Sequence, residues 1–188
     1  MNKKILVIVD AQNDFITGAL GSEDAKNVVP KICEKIKTFS NGTIITTQDT
    51  HNADYLNTKE GEKLPVEHCI KYTMGWGINL DVAATIVSKV AMDTTTTYDS
   101  VEKPTFGSIE LVNKIKEIIN LTDGNIDIEI CGFVSSICVI TNALLLKTML
   151  YDKKNVNISV IKDCCCGLND YNHEAAMEVM KSCQINII

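Results

Sequence analysis

The sequence contains no arginine: all 18 of its positive residues are lysine. Arginine is the usual bidentate clamp for carboxylates and phosphates. Its absence argues against a substrate held mainly through several such groups, although lysine can substitute as a point charge, and a compositional bias toward Lys, Asn and Ile would give the same absence. A basic surface is lacking as well. The net charge is −6, which disfavours nucleic acid, because binding to a phosphate backbone requires an excess of positive charge on one face. No apolar run reaches the roughly 18–20 residues needed to span a bilayer, so no membrane partner is expected. The apolar start Met1 to Val9 is interrupted by Asp10 and followed by no small-residue cleavage site, so it reads as a first strand and not as an export signal. The expected location is the cytoplasm. The eight cysteines should then be reduced thiols, and none of them forms a C-x-x-C pair of the kind that holds structural zinc. Internal repeats, low-complexity segments and Pro/Gly-rich linkers are also missing. At 188 residues the expectation is one domain over 1–188.

What is present is an alternation of short apolar runs with helical patterns. Ile5 to Val9 is apolar throughout and reads as a buried strand. Asp24 to Phe39 places Val28, Val29, Ile32, Ile36 and Phe39 near 3.6-residue spacing, which predicts an amphipathic helix. Thr43–Thr47, Ile86–Met92, Ile126–Cys131, Val156–Ile161 and Ile185–Ile188 read as further strands, and the stretch up to Gly77 as irregular. Glu110–Ile119, a strongly apolar Ser136–Leu150 and Tyr171–Ser182 read as helices. Strand–helix alternation predicts an α/β fold: an open, mostly parallel sheet of five or six strands with helices on both faces. Ligands in such folds bind beyond the carboxyl ends of the strands. Asp10, Asp49, Lys103 and the Cys131-Gly132 turn all fall on that edge.

Cys138 lies just inside the helix expected after the fourth strand. Unpaired backbone N–H groups at a helix start lower a thiol pKa and can bind an oxyanion. Taken alone, Cys138 reads more readily as a core cysteine on an apolar helix. Asp49-Thr50-His51 puts a carboxylate and an imidazole on one side of an extended segment, and His68 could complete a three-residue metal set. Two of the three histidines fall here, and the bland alternative is a pair of hydrogen-bonded loop residues. The third, His173, is expected at the surface. Cys164-Cys165-Cys166 reads as core.

Five ordered segments, Val9 to Phe15 (VDAQNDF), Thr47 to His51 (TQDTH), Pro65 to Cys69 (PVEHC), Val101 to Ser108 (VEKPTFGS) and Gly132 to Val139 (GFVSSICV), resemble the motifs of the isochorismatase-like cysteine hydrolases, which include nicotinamidases, isochorismatases and N-carbamoyl-amide hydrolases. The resemblance implies a triad of Asp10, Lys103 and Cys138. It also implies a cis Phe133–Val134 peptide and an oxyanion hole from the N–H groups of Val134 and Cys138. Lys89 rivals Lys103, but it sits within an expected strand and lacks the following aromatic-small-small pattern. In the nicotinamidase branch the counterparts of Asp49, His51 and His68 hold a divalent metal, zinc above all, with iron or manganese as alternatives. Three features depart from that branch: Thr50 stands where it has Trp, Pro65 where it has an aromatic, and the spacing to His68 is one residue longer. Phe15 remains as one ring wall, and Trp76 or Tyr55 as the other. The implied function is thioester-forming cleavage of a small amide, nicotinamide first, by a homo-oligomer (dimer or tetramer). Isochorismatase-type chemistry uses no nucleophilic cysteine, and a thiol-rich redox or metal-buffering protein would have no need of Cys138.

Overall fold

The computed structural model describes residues 2–188. The sheet is built around β1 (Lys3–Val9), whose residues Ile5 to Val9 have no exposed surface. Each fully buried aliphatic side chain of this kind contributes about 1.5–3 kcal/mol through removal from water. The short α1 (Asn13–Ile16) follows, then α2 (Glu23–Thr38), started by Ser22, whose Oγ accepts the Ala25 N–H. Its buried face, Ala25, Val28, Val29, Ile32, Cys33 and Ile36, is the predicted apolar stripe. β2 (Gly42–Asp49) pairs with β1. The stretch expected to be irregular contains a 3₁₀ turn at Tyr55–Asn57 and a five-residue helix, α3 (Lys59–Lys63).

Ile86–Met92 is not the third strand. It belongs to α4 (Leu80–Met92), capped by Asn79, whose Oδ1 accepts the Asp81 N–H. Ile86, Val87 and Val90 give the segment a β-branched character, and over seven residues helical spacing does not stand out against strand spacing. The third strand is β3 (Thr96–Lys103), in which only Thr96, Val101 and Lys103 are buried. It is an edge strand, and edge strands tolerate polar residues that a search for apolar runs passes over. Lys89 therefore lies on a helix, where it pairs with Asp93 at 3.0 Å, away from the strand ends.

Beyond α5 (Ile109–Asn120) come β4 (Ile126–Phe133), a wide turn at Ser135–Val139, α6 (Ile140–Met149), β5 (Val156–Cys166), α7 (Asp170–Ser182) and β6 (Asn186–Ile187). The six strands run in the order β3-β2-β1-β4-β5-β6 with every pairing parallel. α2 and α4 pack together on one face, and α5, α6 and α7 on the other, giving three layers. β5 extends five residues further than predicted, so Cys164, Cys165 and Cys166 are strand residues in the core. The register skips between Ile130↔Val160 and Gly132↔Cys165, the bulge that lengthens β5. Among the described residues no helix is long and apolar enough to cross a membrane.

Candidate active site

The carboxyl ends of the four strands β1 to β4 deliver the site. Asp10 follows β1 at φ 48°, a left-handed conformation that Asp tolerates better than most residues. Beside it Gly132 sits at φ 118°, and a Cβ there would lie 2.1 Å from the Val9 carbonyl oxygen, so only glycine lets β4 approach β1 so closely. The Phe133–Val134 peptide is cis, in line with the resemblance. Cys138 does not stand in the first turn of a regular α-helix. It lies in a wide turn closed by an N–H bond from Val139 back to Val134. Val134 is half-buried and Cys138 is 5% exposed.

Lys103, the last residue of β3, is 1% exposed and reaches into the middle of the site. Its Nζ lies 2.7 Å from Asp10 Oδ2, 3.4 Å from Asp49 Oδ1 and 3.6 Å from Cys138 Sγ, and it donates to the Thr105 carbonyl at 3.1 Å. Asp10 Oδ1 accepts from Thr47 Oγ1 at 2.7 Å, whereas Oδ2 takes no well-aligned hydrogen bond and faces the ammonium. The expected triad is thus brought together.

The charges at this point set one another. Burial alone would lower the Lys103 pKa, but the negative charges of Asp10, Cys138 and Asp49 outweigh it and hold the ammonium above the ordinary lysine value. Burial raises Asp10, assisted by Asp49 and only partly offset by Lys103. Burial also raises the Cys138 thiol well above its usual value, with Asp10 adding to the effect and Lys103 opposing it. A raised pKa makes a carboxylate a stronger base, so Asp10, ionised beside the Lys103 ammonium, is suited to take the proton of the Cys138 thiol.

The second cluster adjoins the first through Asp49. Asp49 Oδ2 lies 3.0 Å from His51 Nε2 and 3.5 Å from His68 Nε2, and Glu60 Oε1 is 3.8 and 3.9 Å from the same two nitrogens. One ligand atom from each of these four residues falls within 4.8 Å of all the others. A bridge between His51 and Ile70 ties the loop that carries His68 to the end of β2. Glu60 is the member the sequence analysis missed. Its helix, α3, is too short to show a period, and the only local signal is Thr58, which caps it by accepting the Gly61 N–H.

The donor set fits a divalent cation. His68 Nδ1 is 2.8 Å from the Val66 carbonyl, which only accepts, so that nitrogen carries the proton. In its neutral form His68 presents a lone pair at Nε2 toward two carboxylate oxygens. Acceptors converging on one point require a proton or a metal ion between them, and two imidazoles with two carboxylates suit zinc or a similar ion.

Phe15 and Trp76 border this cluster. The Phe15 ring meets His68 edge-on at 5.7 Å, and Trp76 Nε1 donates at 2.8 Å to Oγ1 of Thr50, which lies between Asp49 and His51. Tyr55 is fully buried between His51 (4.6 Å) and His68 (4.9 Å), with its hydroxyl on the Leu64 carbonyl and its pKa pushed up to about 12 by burial and by Glu60 and Asp49. It is committed to the cluster wall and does not replace the missing ring face. His173, expected at the surface, is half-buried on α7, with Nδ1 3.0 Å from Ser135 Oγ. Thr47 and Gln12 also position the site. Gln12 donates to the Asp49 and Trp76 carbonyls, both at 2.8 Å, and accepts the Asp49 N–H at 2.7 Å.

The family model of the isochorismatase domain matches residues 4–188. The chain belongs to the isochorismatase family of hydrolases. Solved structures similar to this family member include the pyrazinamidase of Pyrococcus horikoshii in complex with zinc, at 23% identity and TM-score 0.75, with 98% of each chain covered. The nicotinamidase/pyrazinamidase of Bacillus subtilis superposes with TM-score 0.77 at 21% identity, again covering 98% of both chains. The N-carbamoylsarcosine amidase of Thermoplasma acidophilum gives TM-score 0.70 at 20% identity, covering 100% of this chain and 95% of that one. No protein of curated function matches the sequence.

Proposed function

We propose that this isochorismatase-family chain is a cysteine amidohydrolase that cleaves the C–N bond of a small amide, with nicotinamide as its best single substrate. The observation that carries the reading is Lys103 Nζ standing 2.7 Å from Asp10 Oδ2 and 3.6 Å from Cys138 Sγ in a site closed to solvent. Asp10 takes the thiol proton as Sγ attacks the amide carbonyl, and the tetrahedral oxyanion is received by the N–H groups of Val134 and Cys138. Asp10 returns the proton to the leaving nitrogen, the C–N bond breaks, ammonia departs and a thioester remains on Cys138. Asp10 then draws a proton from water, which attacks the thioester; the C–S bond breaks, Asp10 returns that proton to the thiolate, and the released acid gives its own proton to ammonia and leaves as the carboxylate. Lys103 stays charged throughout and stabilises first the thiolate and then the product carboxylate. Asp49, His51, Glu60 and His68 would hold a divalent ion, which would supply a positive centre for an electron-pair donor such as a ring nitrogen.

Nicotinamide is favoured by that donor set, by Phe15 and Trp76 beside it, and by the lack of arginine, which disfavours dianionic substrates. A specific observation supports a second reading, an aliphatic or N-carbamoyl amide. With Pro65 in place of an aromatic and Tyr55 buried in the cluster wall, one ring face is missing, which costs about 0.5–1.5 kcal/mol of stacking. The test is kcat/KM for ammonia release from nicotinamide, pyrazinamide, several aliphatic amides and N-carbamoyl amides. Nicotinamide and pyrazinamide should lead. A value for nicotinamide orders of magnitude below the best aliphatic amide removes the nicotinamidase assignment and leaves the amidohydrolase standing.

A further inference from the structure

Lys103 ends β3 and Cys138 follows β4, and two strands, β2 and β1, lie between these in the sheet. No backbone ladder runs directly from one to the other. Their 3.6 Å approach therefore depends on whatever fastens the loop after β3 to the turn after β4. Asn142, in the first turn of α6, joins the two. Its Nδ2 donates to the Phe106 carbonyl at 3.0 Å and to the Cys138 carbonyl at 2.8 Å, and its Oδ1 accepts the Ser108 N–H at 3.0 Å. The side chain is fully buried. A single planar amide thus holds the residue that carries the sulfur and, across the gap, the loop that follows the lysine. That loop also supplies the Thr105 carbonyl, which accepts from Lys103 Nζ at 3.1 Å, so a shift in the loop moves the ammonium directly.

We propose that Asn142 is a positioning residue for amide hydrolysis, clamping the loop after β3 to the nucleophile turn and so holding the Lys103 ammonium against the Cys138 sulfur. The inference rests on the reading of Cys138 as nucleophile and Lys103 as its charge partner. A buried amide that only satisfied its own hydrogen bonds would affect folding. One that sets a catalytic distance affects kcat per folded molecule, since misplacement on the scale of 1 Å costs up to about hundredfold. Asn142 touches no substrate, so KM should stay within about twofold in Asn142→Ala while kcat falls about ten- to hundredfold.

The decisive experiment is a double-mutant cycle read by the rate of Cys138 alkylation with iodoacetamide at fixed pH, followed by mass spectrometry of the Cys138 peptide. The four proteins are the wild type, Asn142→Ala, Lys103→Ala and the double variant. Asn142→Ser, which leaves a smaller gap, repeats the cycle should Asn142→Ala fold poorly. The expected result is slowing of about tenfold with Lys103 present and less than about twofold without it. Equal slowing in both backgrounds overturns the proposal, as does faster labelling in both, the signature of a loosened core. Failure of the underlying reading appears separately, as ammonia release that persists in Cys138→Ala, and the alkylation cycle does not depend on that result.

Discussion

Lys103 faces two carboxylates, a thiol and a backbone carbonyl at once, with essentially no contact with solvent. A single buried cation therefore balances the charge of both clusters, and removing it leaves Asp10 and Asp49 to repel each other without water. Lys103→Met should destabilise the metal-free protein by about 3–5 kcal/mol, the cost of leaving buried charges unpaired. Urea denaturation checks this, and a loss below about 1 kcal/mol would show that water reaches Asp10. Glu60 makes a separate claim at the same scale. If its carboxylate is a ligand, Glu60→Ala should weaken zinc binding about ten- to hundredfold, measured by competition with a chromophoric chelator. Unchanged affinity would leave Asp49, His51 and His68 as the complete set.

At the scale of elements, legibility followed the strength of local patterning. β1, β2, β4, α2, α5 and α7 carry strong apolar runs or stripes, and the sequence places them to within a few residues. β3 is hidden by its edge position: Thr96-Thr97-Tyr98-Asp99-Ser100 exposes most of its side chains, so nothing marks it as a strand until β2 is there to pair with. α3 is too short to show a period, and Glu60 was lost with it. The triad and three of the four clustered donors were named because the segments around them resemble family motifs, and Asp10, Asp49 and Lys103 also fall at strand ends. Asn142 and His173 were not, because their roles exist only across segments distant in sequence. The turn from α4 into β3 offers a test. Hydrogen bonds from Thr95, then Lys89 and Thr96, hold the Asp93 carboxyl below its ordinary value of 3.8. A depressed carboxyl contributes stability that is present above the unfolded pKa and lost as pH falls through the folded one. Asp93→Asn should therefore lower Tm at pH 7, with the difference shrinking as pH is taken below 4. A difference constant with pH would assign the effect to the hydrogen bonds and not to the charge.

At the scale of the whole molecule, the sheet collects residues from four strands and the loop after β2 at one edge, where ligand binding and stability become linked. A ligand that binds only the folded chain at a hundredfold excess over Kd adds about 2.7 kcal/mol. For a chain of this length that corresponds to a Tm increase of about 5–10 °C. Zinc should produce such a rise in the chelator-treated protein and none in His51→Ala. A rise of equal size in His51→Ala would place the bound zinc elsewhere. The central claim, that Cys138 attacks the amide carbonyl, is tested most directly by trapping the covalent intermediate. Wild-type protein mixed with the best amide of the panel, quenched in acid within milliseconds and digested, should carry the acyl mass on the Cys138 peptide, while Cys138→Ala carries none and releases no ammonia. Acylation at another residue, or undiminished turnover by Cys138→Ala, would contradict the account.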